Sequence, residues 1–84
     1  MSQKPPKWVA KHVVRCLNHW QLDKWRVETT LVDLIDHDPN CPAKIDMSPR
    51  YFKAILWLRD DIQRDEEGYQ TITHEMAHLV QANT

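Results

Sequence analysis

The residues best suited to chemistry lie at positions 74 to 78, where the chain reads His-Glu-Met-Ala-His. On a helix, residues four apart lie on the same face about one turn apart, so His74 and His78 can direct two imidazole nitrogens at one zinc ion. Glu75 would not bind the metal. It would accept a proton from a zinc-bound water, whose pKa the metal lowers to about 7. The spacing therefore predicts a zinc site that activates water for hydrolysis.

An apolar stripe accompanies this motif at helical spacing. Its members are Tyr69, Ile72, Met76, Leu79 and Val80. His74, His78 and Gln81 are expected to project from roughly the opposite side of the same helix. A helix that packs through one face and turns its histidines away from that face is what a metal cleft requires. The alternative is an amphipathic helix whose surface histidines bind nothing.

The stretch from Thr71 to Val80 resembles the active-site helix of zincin-like metallopeptidases, especially the minimal ones of bacteria and phages. The resemblance implies a helix first, then a small twisted sheet, then the helix that bears the motif. It also implies zinc as cofactor and a peptide or protein as substrate. By this resemblance His74 and His78 are metal ligands, and Glu75 is the catalytic residue.

The third metal ligand is not evident. One zincin group would need glycine in place of Gln81 and histidine in place of Thr84, and another uses a glutamate well downstream, whereas the sequence ends at Thr84. The candidates within the chain are Asp36, His37, Asp38 and Cys41, all in one loop. The same loop also has the composition of an ordinary solvated turn. A residue from a second chain, or a natural continuation of a fragment, would be the other sources.

A second hypothesis belongs to another class. The chain would be a small non-enzymatic binding or inhibitor protein, for example a phage-encoded inhibitor of a bacterial defence system, built on a zincin-derived scaffold. The residues offered to a basic protein partner would be Asp60, Asp61, Asp65, Glu66 and Glu67. An acidic run of this kind is more often a solvated connection between two elements than a binding surface, so its charge alone does not establish a partner.

Composition limits the remaining possibilities. A length of 84 residues predicts a single domain over residues 1–84, and a hydrophobic content of 42% with one glycine favours a compact fold. The net charge of −1 makes nucleic-acid binding a poor hypothesis. No apolar run is long enough to span a membrane, and the first residues lack the apolar stretch of a signal peptide. Two cysteines do not make a disulfide scaffold, so a reduced, cytoplasmic protein is expected. Four tryptophans are expected to fill the core rather than form a binding platform.

The periodicity predicts an α+β fold with an N-terminal helix, a small three-stranded antiparallel or mixed sheet and a C-terminal helix. The predicted order is a helix from Lys7 to about Leu22, a strand from Lys24 to Leu34, an edge strand at 41–47, a short turn or helical turn at 48–52, a strand at 53–59 and a helix from about Glu66 to Gln81. A single helix across 49–63 is the alternative to the last strand. His12 and His19 belong to the first helix and are interpreted as ordinary polar-face or boundary residues rather than ligands.

Overall fold

The computed structural model describes residues 4–82, which form an α+β fold with two helices packed on one face of a three-stranded sheet. The elements are α1 (Lys7–His19), β1 (Arg26–Val32), β2 (Ala43–Ser48), β3 (Lys53–Arg59) and α2 (Glu66–Ala82), with a short 3-10 turn at Pro49–Tyr51. The fold class predicted from the periodicity is therefore confirmed. Within the described residues, no helix has both the length and the apolarity needed to cross a membrane.

The sheet is mixed, and its central strand is the last one in the chain. β3 pairs with β1 in parallel and with β2 in antiparallel, so the order across the sheet is β1-β3-β2. Leu58 of β3 is opposite Leu31 of β1 and Ala43 of β2, and all three are buried on the face that the helices cover. β2 is an edge strand, as predicted, but it begins at Ala43, so Pro42 precedes the strand and does not lie within it.

The region 48–59 settles the choice between a strand and a helix. The burial along β3 alternates, with Ala54, Leu56 and Leu58 buried and Ile55 exposed between them, which is the period of two of a strand with one covered face. The short turn ends at Phe52, which adopts a left-handed conformation with φ of 53°. The predicted strand at 53–59 is confirmed, and the alternative helix across 49–63 is wrong.

The first helix ends at His19, earlier than the predicted end near Leu22. Gln21 has a φ of 55°, and its N–H donates to the carbonyl of Asn18 at 3.2 Å. The N–H of Leu22 donates to the carbonyl of Leu17 at 2.7 Å. This pair of bonds is a Schellman motif, which usually places glycine at the left-handed position. Because glutamine occupies that position here, the sequence carries no stop signal, and the predicted end was wrong by about one turn.

The second helix begins as the sequence predicts. Asp65 accepts a hydrogen bond from the N–H of Gly68 at 2.8 Å and therefore caps the helix, while Glu66 and Glu67 lie in its first turn. A side chain at Gly68 would overlap the carbonyl oxygen of Gln63, so only glycine fits there. The cap and the close approach together fix where α2 starts, and hence where the motif lies along it.

The core contains most of the predicted apolar stripe of α2. Ile72, Met76 and Leu79 are fully buried, and Val80 is partly buried against the same cluster. Three of the four tryptophans belong to this core: Trp25 is buried, and Trp8 and Trp20 pack against it. Trp57 lies on the uncovered face of the sheet.

Candidate metal centre

The two histidines of the motif approach one another on the outer side of α2. The ring centroids of His74 and His78 are 5.3 Å apart, with the ring planes at 86°. The carboxylate of Glu75 joins them, since its Oε2 lies 3.9 Å from Nε2 of His74. One donor atom from each of the three side chains lies within 4.8 Å of the others, and residues 4–82 contain no other such group of three.

The side on which α2 is buried explains why His74 is exposed and Glu75 is not. Successive helical residues are rotated by about 100°, so His74 lies about 200° around the axis from the buried Ile72. The side chain of His74 accordingly keeps 74% of its surface exposed. Glu75 lies closer to the packed side of the helix and keeps only 14%. The packing therefore holds the carboxylate beside the core and leaves the neighbouring imidazole free to turn.

The donor set fits a zinc ion in its chemistry. Imidazole nitrogens and a carboxylate bind zinc at about 2.0–2.2 Å, so two ligands of a tetrahedral site lie about 3.3–3.5 Å apart. The donor atoms here lie within 4.8 Å of one another, which is wider than that spacing, and the His74 side chain is largely exposed. Two imidazoles on one helix would hold the ion, with Glu75 alongside. This set is smaller than the three protein ligands of ordinary catalytic zinc sites.

The loop candidates for a third ligand do not join this group. Asp36 forms an ion pair with Lys44 at 3.0 Å, and Asp38 accepts a hydrogen bond from the N–H of Asn40. The Cys41 thiol donates to the carbonyl of Ala43 at 3.2 Å. His37 is exposed. None of these four side chains belongs to the convergent group of donors, and Thr84 lies outside the described residues.

A groove begins beside the two motif residues His74 and Glu75. Its first part, of about 360 Å³, is lined by Pro42, Glu67, Gln70, Thr71, His74 and Glu75. A second depression of about 400 Å³ shares Pro42, Glu67 and Thr71 with the first and continues to Arg59, Asp61 and Asp65. The two form one surface that leads from the motif to the acidic run. Sequence reasoning missed Pro42 and Thr71, because only the tertiary contact of α2 with the start of β2 makes them neighbours.

The acidic residues have different environments. Asp61 forms an ion pair with Arg59 at 3.1 Å, and Asp65 is engaged as the cap of α2. Glu66 accepts a hydrogen bond from Gln70 at 3.2 Å. Asp60 and Glu67 are exposed, and Glu67 lines both parts of the groove. The negative charge of the groove beside the motif therefore centres on Glu67.

A hydrogen bond joins α1 to α2 at Thr73, the residue directly before the motif. Nε2 of His12 lies 2.8 Å from Oγ1 of Thr73, and the Thr73 hydroxyl donates to the carbonyl of Tyr69 at 2.9 Å. Because that hydroxyl has only one proton, it must accept the second bond, so His12 carries its proton on Nε2. Nδ1 of His12 is buried without a partner. Burial of the ring, followed by the charge of Arg15, lowers the pKa of His12 below its ordinary value of 6.5.

The cysteines do not form a competing catalytic site. Cys16 lies 3.8 Å from Nε2 of His12, but burial raises the pKa of its thiol, which disfavours the reactive thiolate. Cys16 and Cys41 are both free thiols. His12 has a packing and hydrogen-bonding role between the helices, in line with its interpretation as a boundary residue. His19 is exposed at the end of α1.

Comparisons with known protein families, with curated proteins and with solved structures found no match to this chain. The convergence of His74, Glu75 and His78 is thus the observation from which a function has to be argued.

Proposed function

We propose that this chain is a zinc-dependent, metallopeptidase-like hydrolase whose centre is formed by His74, Glu75 and His78. The observation that supports the proposal is the approach of three donor atoms to within 4.8 Å of one another on the outer side of α2. Helical packing alone does not require this, because exposed side chains at these positions are free to point apart.

Each residue has a distinct role in the proposal. His74 and His78 hold the ion, and the exposed His74 ring adjusts to its position. Zinc, when bound by these two residues, would lower the pKa of a water molecule and would polarise a carbonyl group. Glu75 is the proton acceptor, and its position beside the core limits the directions in which its carboxylate can move. The adjoining groove is where a substrate chain would lie, with Pro42 on one side and Thr71 of α2 on the other.

The charge of the groove indicates the class of substrate. Glu67 is exposed and lines the groove on the approach to His74 and Glu75. An anionic groove raises the local concentration of cationic ligands and favours their binding. We therefore propose peptides that carry lysine or arginine near the site of cleavage.

Metal analysis and an activity assay on matched variants test this function. Protein purified without chelator is expected to retain zinc. His74→Ala or His78→Ala should lower the zinc affinity by about 100-fold or more, since even changes to residues that only orient the ligands weaken such sites by about 10- to 100-fold. Glu75→Gln should retain zinc and lose hydrolysis of a peptide library. His19→Ala removes an exposed histidine outside the centre and should leave both properties unchanged. Zinc binding that ignores both motif substitutions would contradict the proposal.

A second candidate function is binding without catalysis. The observation in its favour is that the groove is continuous with Asp61, Asp65 and Glu67, so a basic partner could occupy the whole surface. A binding or inhibitor protein of this kind would keep its effect in the Glu75→Gln variant and lose it when Asp61 and Glu67 are changed to lysine. A hydrolase would lose its activity with Glu75→Gln, so this single variant separates the two functions.

A further inference from the structure

The proposed centre has too few ligands to hold zinc tightly within one chain. Structural zinc sites have four protein ligands, and catalytic sites have three plus water. Here two imidazoles converge, and the only other donor of that group is Glu75, which the proposed function uses as a base. Among residues 4–82, none of the other histidines, cysteines or carboxylates joins them. The remaining positions of the ion are open to water or to another molecule.

The surface around the histidines can accept a second molecule. The side chain of His74 is 74% exposed, whereas α2 packs into the core through Ile72, Met76 and Leu79. The exposed neighbours Gln70 and Gln81 carry no charge. If two copies of α2 cross in antiparallel fashion at the histidine pair, the uncharged Gln70 of each copy lies opposite the uncharged Ala82 of the other, so these positions bring no like charges together.

We infer that two copies of this chain share one zinc ion through His74 and His78 of each copy. The inference rests on the proposed function, because it uses the same two ligands. A two-fold arrangement of this kind is self-complementary, so each copy contributes the same two donors. The result is a closed site with four imidazoles and no position for water, which is the form of a structural rather than a catalytic zinc site.

The shared site also regulates the proposed activity. When protein exceeds zinc, the four-imidazole dimer forms and is inactive. When zinc exceeds protein, each chain binds its own ion by mass action, the dimer separates, and the open coordination positions become available. The oligomeric state therefore passes through a maximum at one zinc ion for two chains.

Sedimentation velocity of the full chain during a zinc titration tests this inference. After chelator treatment and dialysis the protein should be monomeric. Half an equivalent of zinc should double its mass, and a large excess of zinc should return it to the monomer. His74→Ala and His78→Ala should stay monomeric at every ratio. Glu75→Gln and His19→Ala should dimerise as the wild type does, and circular dichroism checks that all variants are folded.

The outcomes separate this inference from the proposed function. Zinc bound by a chain that stays monomeric at every ratio, and lost in His74→Ala, would overturn the shared site and leave the proposed function standing. If the monomeric chain also loses zinc in the Cys41→Ser variant, then Cys41 of the same chain is a ligand and no second copy is needed. A chain that binds no zinc would overturn both proposals. A dimer that forms in the presence of chelator would overturn the shared site.

Discussion

Nε2 of His12 on α1 donates to Oγ1 of Thr73 on α2 at a distance of 2.8 Å, and Thr73 directly precedes His74 of the motif. Trp8 packs edge-on against Tyr69, one turn earlier on both helices, with 5.2 Å between the ring centroids. From the Trp8–Tyr69 contact to the His12–Thr73 contact, the residue number rises by four on both helices, so α1 and α2 run in the same direction where they touch. The two contacts fix the rotation of α2 about its axis, and with it the side from which His74 and His78 emerge.

Thr73→Val tests this contact, because valine keeps the shape of threonine and removes its hydroxyl. The Nε2–H of His12 would then lack an acceptor, and we expect the free energy of unfolding to fall by about 1–2 kcal/mol in urea denaturation. Thr71→Val is a matched control. The Thr71 hydroxyl also donates to the carbonyl four residues earlier, at Glu67, but this bond is exposed and lies within α2. Equal effects of the two substitutions would show that the bond between the helices contributes nothing.

The same histidine predicts how stability depends on pH. Burial lowers the pKa of His12 in the folded protein, so between that value and the ordinary 6.5 the unfolded chain binds more protons than the folded one. Stability should therefore fall as the pH drops through about 6.5 and level off below the folded pKa. His12→Gln removes this titration, and His19→Gln is the control on an exposed histidine. Urea denaturation at about pH 7.5 and pH 5 should show a smaller decrease for His12→Gln than for the control, and equal decreases would contradict the assignment.

The left-handed residue after α1 offers a route to higher stability. Gln21 has a φ of 55°, a conformation that is unfavourable for a residue with a Cβ and accessible to glycine. Gln21→Gly should raise the free energy of unfolding by about 0.5–1 kcal/mol. Lys11→Gly, at an exposed position inside α1, should lower it by a similar amount, because glycine weakens a helix interior. Thermal denaturation measures both, and a loss of stability in Gln21→Gly would show that the glutamine side chain stabilises the turn.

The preference for basic substrates can be tested at Glu67. In the non-cleaving Glu75→Gln protein loaded with zinc, Glu67→Gln should weaken binding of a lysine-containing peptide by about twofold to fivefold, as expected for one exposed charge pair. Binding of the same peptide with glutamine in place of lysine should not change. Glu66→Gln is the control, since this neighbouring acid bonds to Gln70 and does not line the groove. Fluorescence anisotropy at low and high salt would measure the effect, which should shrink as salt is added.

The sequence predicted most of the fold because its local patterns are strong. The alternation in 53–59 and the apolar stripe from Ile72 to Leu79 each match one secondary structure, and both were confirmed. The end of α1 was missed because Gln21 occupies a position where glycine is the usual signal. The parallel pairing of β1 with β3 was left open, because it depends on which strands meet in space rather than on the pattern within either strand.

In the candidate centre, too, local patterns predict some features, whereas contacts between distant parts of the chain determine the others. The placement of His74 and His78 on one exposed side of α2 follows from helical spacing and could be predicted. The contact of His12 with Thr73 joins residues 61 positions apart, and the groove at Pro42 joins β2 to α2, so no local pattern reports either. The role of the loop from Asp36 to Cys41 as a source of ligands stays a prediction. In the structure its carboxylates and thiol are engaged with nearby groups.

The order of strands across the sheet constrains how a nascent chain acquires its shape. The first strand to be synthesised has no neighbour until the third appears, since the second pairs only on the far side. β2 and β3 can assemble early as a hairpin, after which β1 docks alongside and the last helix closes over the joined surface. A ribosome pausing before Lys53 would therefore hold two unpaired strands, β1 and β2, whose free edges favour aggregation.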